Sequence, residues 1–118
     1  MKFLKELVEV KSEFELKRNT NLNHYFRLFE HIYINDNLKM SIQASYAHYC
    51  NPRVTLDDLS QYKTMEFALI SADGEFLTVT EVLPTFLKLD QIEEYGGPIY
   101  AYVPVRLIEQ LYRVLNKK

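Results

Sequence analysis

The chain has 118 residues, 47% of them hydrophobic and 25% charged, and a formal net charge of -2. That length suits one domain, and the apolar share supplies a core and argues against global disorder. The near-neutral charge is neither a basic nucleic-acid footprint nor an acidic imitation of DNA. The single cysteine, Cys50, rules out an internal disulfide framework. Charges interrupt every apolar run of the N-terminal stretch, so no signal-peptide core or membrane span is expected there.

In chain order, Phe3, Leu7, Val10 and Phe14, with Leu4 and Val8, fall on one face at helical spacing and predict a helix over 2–18. Asn19-Thr20-Asn21 reads as a turn. A short helix starting near Asn21 or Asn23 is then expected to pass into a strand over 30–34. Asn35-Asp36-Asn37 tolerates positive φ and signals a hairpin. Residues 38–46 alternate. Leu38, Met40, Ile42 and Ala44 are assigned to the core, and Lys39, Ser41, Gln43 and Ser45 to solvent. Pro52 ends regular pairing, and Thr55 with Asp58 predicts a capped helical turn. A third strand over 64–70, an Asp73-Gly74 turn and a returning strand over 75–80 follow. Asp90 to Glu94 reads as a short helix ended by Gly96. Ile99 to Val103 is extended, and a helix from Pro104 to about Leu115 turns Val105, Ile108, Leu111, Tyr112 and Leu115 inward. The whole is a single α+β domain over 1–118. An antiparallel sheet of about four or five strands carries N- and C-terminal helices on one face and leaves a face rich in Tyr, Gln, Ser and Lys open.

Two stretches carry a resemblance. Ser41-Ile-Gln43-Ala44-Ser45 with His48-Tyr49-Cys50 and Pro52-Arg53, and then Tyr100-Ala-Tyr102-Val103-Pro104-Val105 before the terminal helix, resemble small proteins of unknown function from tailed phages and prophages. Asn51 departs from that pattern, where serine is common. The resemblance implies an accessory protein in the cytoplasm of a bacterial host. It implies no catalytic residue.

The sharpest chemical candidate is His48 with Cys50, whose side chains share a side if this stretch is a strand. A thiolate beside a protonated imidazole is a nucleophile, but no motif supplies the orienting group and oxyanion donors such chemistry needs. The same pair with His24 or His31 offers three ligands to zinc, at a spacing that matches no standard signature. Arg18, Arg27, Lys39 and Arg53 with Tyr25, Tyr33 and Tyr46 offer a basic aromatic surface to nucleic acid, a reading less favoured than a mixed solvated face. The expectation adopted is non-enzymatic. There is no catalytic residue, metal or cofactor, and Tyr46, Arg53, His48 and Gln43 bind a macromolecular partner. The partner is a host protein, with a defence component as the suggested target, and the chain itself is a monomer or homodimer. A small Cys/His enzyme or metal site and a nucleic-acid module are the alternatives.

Overall fold

The computed structural model describes residues 1–10 and 26–117. Its centre is a five-stranded antiparallel sheet. Strand β1, Ile32–Asn35, pairs with β2, Leu38–Gln43, which pairs along its length with β3, Thr64–Ser71. The other edge of β3 is shared by two strands placed end to end. Strand β4, Phe76–Leu77, takes Leu69 and Ile70, and β5, Ile99–Pro104, takes Thr64 to Ala68. Helix α1, Lys2–Glu6, and α4, Val105–Leu115, cover one face together with two short helices, α2 at Val79–Val82 and α3 at Leu89–Glu93. The fold is α+β with its terminal helices on one side of the sheet, as the sequence predicts.

Alternation decides the two faces. Leu38, Met40 and Ile42 of β2 and Met65, Phe67 and Leu69 of β3 enter the core with Tyr100 and Val103 of β5. Helix α4 adds Leu107, Ile108, Leu111 and Leu115 at three- and four-residue spacing. It also holds the N-terminus. The carboxylate of Glu109, buried on α4, accepts from the backbone N–H of Phe3 at 3.0 Å, and the Tyr112 hydroxyl donates to Glu6 at 3.0 Å. Glu109 therefore stands in for a local cap on α1, which has none of its own.

Three sequence expectations are corrected. Helix α1 stops at Glu6, and residues 8–10 are extended. The N–H of Val10 donates to Leu28 O (2.8 Å), and the N–H of Glu30 donates to Val8 O (2.7 Å). This ribbon leaves Val8 and Val10 exposed, so the apolar spacing there does not report a helix. The continuation to residue 18 and the turn and short helix near Asn21 lie outside the described residues. The strand expected over 75–80 ends at Leu77, because Thr78 and Glu81 form a reciprocal capping box that opens α2. The turn at 59–61 is capped by Asp58, whose carboxylate accepts from Ser60 N, while Thr55 is buried and accepts from Tyr46 N.

The connection from β4 to β5 is tied by one carboxylate. Glu93 of α3 accepts from Thr80 N (3.0 Å), Thr80 Oγ1 (2.6 Å) and the Tyr100 hydroxyl (3.0 Å), and that hydroxyl accepts from Val79 N (2.8 Å). These donors hold the Glu93 carboxyl below its usual range against the opposing effect of burial, and burial pushes the Tyr100 hydroxyl up to about 12. Gly96 closes α3 at φ +78. Gly97 lies directly on the Tyr100 ring, where a Cβ would overlap the phenol carbons. Gly97→Ala is therefore expected to displace Tyr100 from the core and destabilise the fold by about 2 kcal/mol. Denaturant unfolding measures this, and an unchanged midpoint would show that the Gly97 loop yields freely.

Candidate functional site

The residues from Ala44 to Lys63 that follow β2 form a loop folded back on the sheet. Beyond Ala44 the chain leaves the strand. His48 N–H donates to Ser45 O at 3.1 Å, Ala47 N–H donates to Ser45 Oγ at 3.1 Å, and Ser45 Oγ lies 2.7 Å from His48 Nδ1. This is a serine-closed turn. Two expectations fall with it. His48 and Cys50 are not neighbours on a strand face, and Ser45 is fully buried instead of facing solvent.

Ser45 engages both candidate residues separately. Its hydroxyl meets the imidazole, and its carbonyl accepts from Cys50 Sγ at 3.3 Å, a thiol that also donates to Pro52 O at 3.4 Å. Burial raises the Cys50 pKa above its ordinary value, outweighing the Ser45 hydrogen bond and the charges of Arg27 and Arg53. Burial lowers the His48 pKa. Glu66 opposes this, and Arg27 and Arg53 reinforce it. A raised thiol pKa and a lowered imidazole pKa are the reverse of the thiolate and protonated imidazole that make an activated nucleophile. Among the described residues, no cluster of three His, Cys, Asp or Glu side chains is placed to hold a metal.

The loop is anchored from beneath by Arg27. Arg27 is 4% exposed, and its guanidinium donates to Leu56 O (2.7 Å), Ala44 O (2.7 Å) and the Tyr62 hydroxyl (3.1 Å) and lies 4.7 Å from the centre of the Phe29 ring. The Tyr62 hydroxyl accepts from Leu56 N and donates to Val54 O. Arg27 therefore serves the interior and is lost to any basic surface. Arg18 and Tyr25 lie outside the described residues. Gln43 is likewise structural, at 5% exposure. Its amide accepts from Phe29 N (2.8 Å) and donates to Phe29 O (3.0 Å), pairing with the backbone as a neighbouring strand would. The solvent-facing position expected for Gln43 is closed by that pairing.

Of the four residues expected to bind a partner, Tyr46 and Arg53 are exposed, while His48 and Gln43 are buried. Arg53 Nε donates to Tyr46 O at 3.3 Å, and its guanidinium lies 5.1 Å from the centre of the Tyr49 ring. Tyr49 packs against Tyr102 at 5.8 Å, and each is close to half exposed. Tyr102 reaches the surface through a bulge. Between the Met65–Val103 and Phe67–Tyr100 pairs β5 carries one extra residue, and Tyr102 has φ +56. Alternation alone would place Tyr102 beside the buried Tyr100, so its exposure is invisible in the sequence. Tyr49 N–H donates to Glu66 Oε2 at 3.1 Å, which puts a carboxylate at the edge of the patch.

Glu66 also lines a groove of about 800 Å³ on the face of the sheet away from the helices. Lys39, Ser41, Ala68 and Ile70 form its floor; Phe76 and Ile99 flank one side, and Leu28, Phe29 and Val10 of the ribbon flank the other. This face is less polar than the sequence pattern predicts, because β3, β4 and β5 contribute Ala68, Ile70, Phe76 and Ile99 to it. The chain matches no family model and no curated protein, and its structure matches no solved structure. Among the described residues, no helix is long and apolar enough to cross a membrane.

The burial of Cys50 and of His48 has measurable consequences. Cys50 is 1% exposed with its pKa raised, so iodoacetamide at pH 8 should alkylate the native protein at least about 100-fold more slowly than the denatured chain. Cys50→Ala should cost about 1 kcal/mol. Because the folded-state pKa of His48 lies below 6.5, the unfolded chain binds more protons between the two values. Its contribution to stability is present above pH 6.5 and is lost as pH falls through the folded pKa. His31, lowered by burial and by Lys39, acts in the same direction. His48→Gln should flatten the rise in unfolding free energy between pH 5 and 7, and an unchanged slope would exclude His48 as a source.

Proposed function

We propose that the protein is a non-catalytic binding module that recognises a macromolecular partner through Tyr46, Tyr49, Arg53 and Tyr102. The observation that carries this reading is the fixed position of Arg53, whose Nε is held by the Tyr46 carbonyl and whose plane is supported by the Tyr49 ring. An exposed arginine ordinarily loses rotamer freedom on binding, and one already held loses less. Tyrosine and arginine are the residue types most enriched among energetic anchors of interfaces. A host protein as partner, a defence component as target and a phage or prophage setting belong to the same proposal. They rest on the residue patterns at 41–53 and 100–105.

The test is capture from a bacterial lysate by the immobilised full chain, followed by affinity measurement with the recovered partner. Tyr46→Ala and Arg53→Ala should each weaken binding about tenfold, and the double variant should abolish capture, while circular dichroism and the melting temperature stay unchanged. Equal affinity of the double variant would move the contact surface elsewhere.

A further inference from the structure

We propose that the groove beside the patch takes an extended segment of the partner in which a basic and an acidic residue stand four positions apart, with an apolar residue midway between them. This deepens the binding reading above and rests on it. The groove is polarised. Lys39, held 5.7 Å from the centre of the Tyr33 ring, stands at one end, and Glu66 stands at the other. Lys39 pairs with Ile70 and Gln43 with Glu66, so the two charges are four residues apart along the strands, about 13 Å at ~3.3 Å per residue. Among the described residues, neither is in an ion pair.

The middle of the groove is apolar. Ser41, Ala68 and Ile99 make one cross-strand row halfway between the charges, with Ile70 and Phe76 in the row beside Lys39. An extended chain presents residues i, i+2 and i+4 on one side over that same 13 Å. A basic side chain then meets Glu66, an apolar one meets Ala68 and Ile99, and an acidic one meets Lys39. Glu30 on the ribbon wall adds a second carboxylate, and His31 and His48 complete the ionisable lining. A volume of about 800 Å³ lies within the ordinary range for binding pockets, about 300–1,000 Å³.

The probe is the capped pentapeptide Lys-Thr-Val-Thr-Glu, together with its reverse because either chain direction satisfies the two ends. Methyl-detected NMR of the full chain follows Ala68, Ile70 and Ile99. One mixed-charge peptide should shift these methyls, and Glu66→Gln or Lys39→Gln should each weaken it about threefold. Peptides carrying two lysines, two glutamates, or serine in place of the central valine should bind at least about threefold more weakly. The Tyr46→Ala, Arg53→Ala double variant should still bind the peptide. Absence of shifts with both mixed peptides at about 5 mM, a concentration that reveals a Kd of about 1 mM, overturns the groove proposal. Equal shifts from the like-charged peptides overturn it too. Either result leaves partner capture through the tyrosine and arginine patch standing or falling on its own measurement.

Discussion

The outer half of this protein hangs on the Arg27 guanidinium. A cation removed from water incurs a desolvation cost of several kcal/mol, which only a dense set of oriented acceptors can offset. Arg27 finds two backbone carbonyls, a phenol oxygen and the face of Phe29. Those acceptors come from the end of β2 and from both limbs of the loop before β3. The side chain itself comes from the ribbon at 26–30. One residue therefore closes three segments, the Gln43–Phe29 and Tyr46–Thr55 bonds reinforce the closure, and Tyr62 completes it by holding Val54 and Leu56 together.

The two faces of the sheet are consequently stabilised by different physics. The helical side is an ordinary apolar core, in which Met40, Ile42, Phe67 and Leu69 meet α4 and Phe3. The outer side is held by polar side chains that replace backbone partners. Gln43 pairs with Phe29, Ser45 closes its own turn, and Thr55 receives Tyr46 N. Polar networks of this kind hold one geometry because an unmatched member is costly. They position the ribbon that walls the groove and the loop that carries Arg53.

What was legible in the sequence was local. The alternation of 38–42, the Asp73-Gly74 turn with Gly74 at φ +86, and the apolar stripe of α4 depend on neighbours within a few residues, and all three are present. Tyr46 has the parity of the core stripe at 38–44, and it is exposed because the chain leaves the strand after Ala44. The rest depends on pairing across long separations. The ribbon joins residues 8–10 to 28–30, and Val8 and Val10 fit the helical spacing of Phe3, Leu4 and Leu7 as well as they fit strand alternation. Burial of Gln43 and Arg27 follows from that ribbon. The Tyr102 bulge reverses an alternation that would otherwise be read correctly. The capping box of Thr78 and Glu81 is a local signal of the same kind, and it ends the strand expected over 75–80.

The hydrogen bond from Tyr49 N–H to Glu66 ties the patch to the groove. The carboxylate belongs to the groove, and the tyrosine ring supports Arg53. Tyr49 thus faces both ways, its amide bound to the groove carboxylate and its ring set beneath the guanidinium. By thermodynamic reciprocity, whatever factor an occupant of the groove imposes on affinity at the patch, an occupant of the patch imposes on the groove.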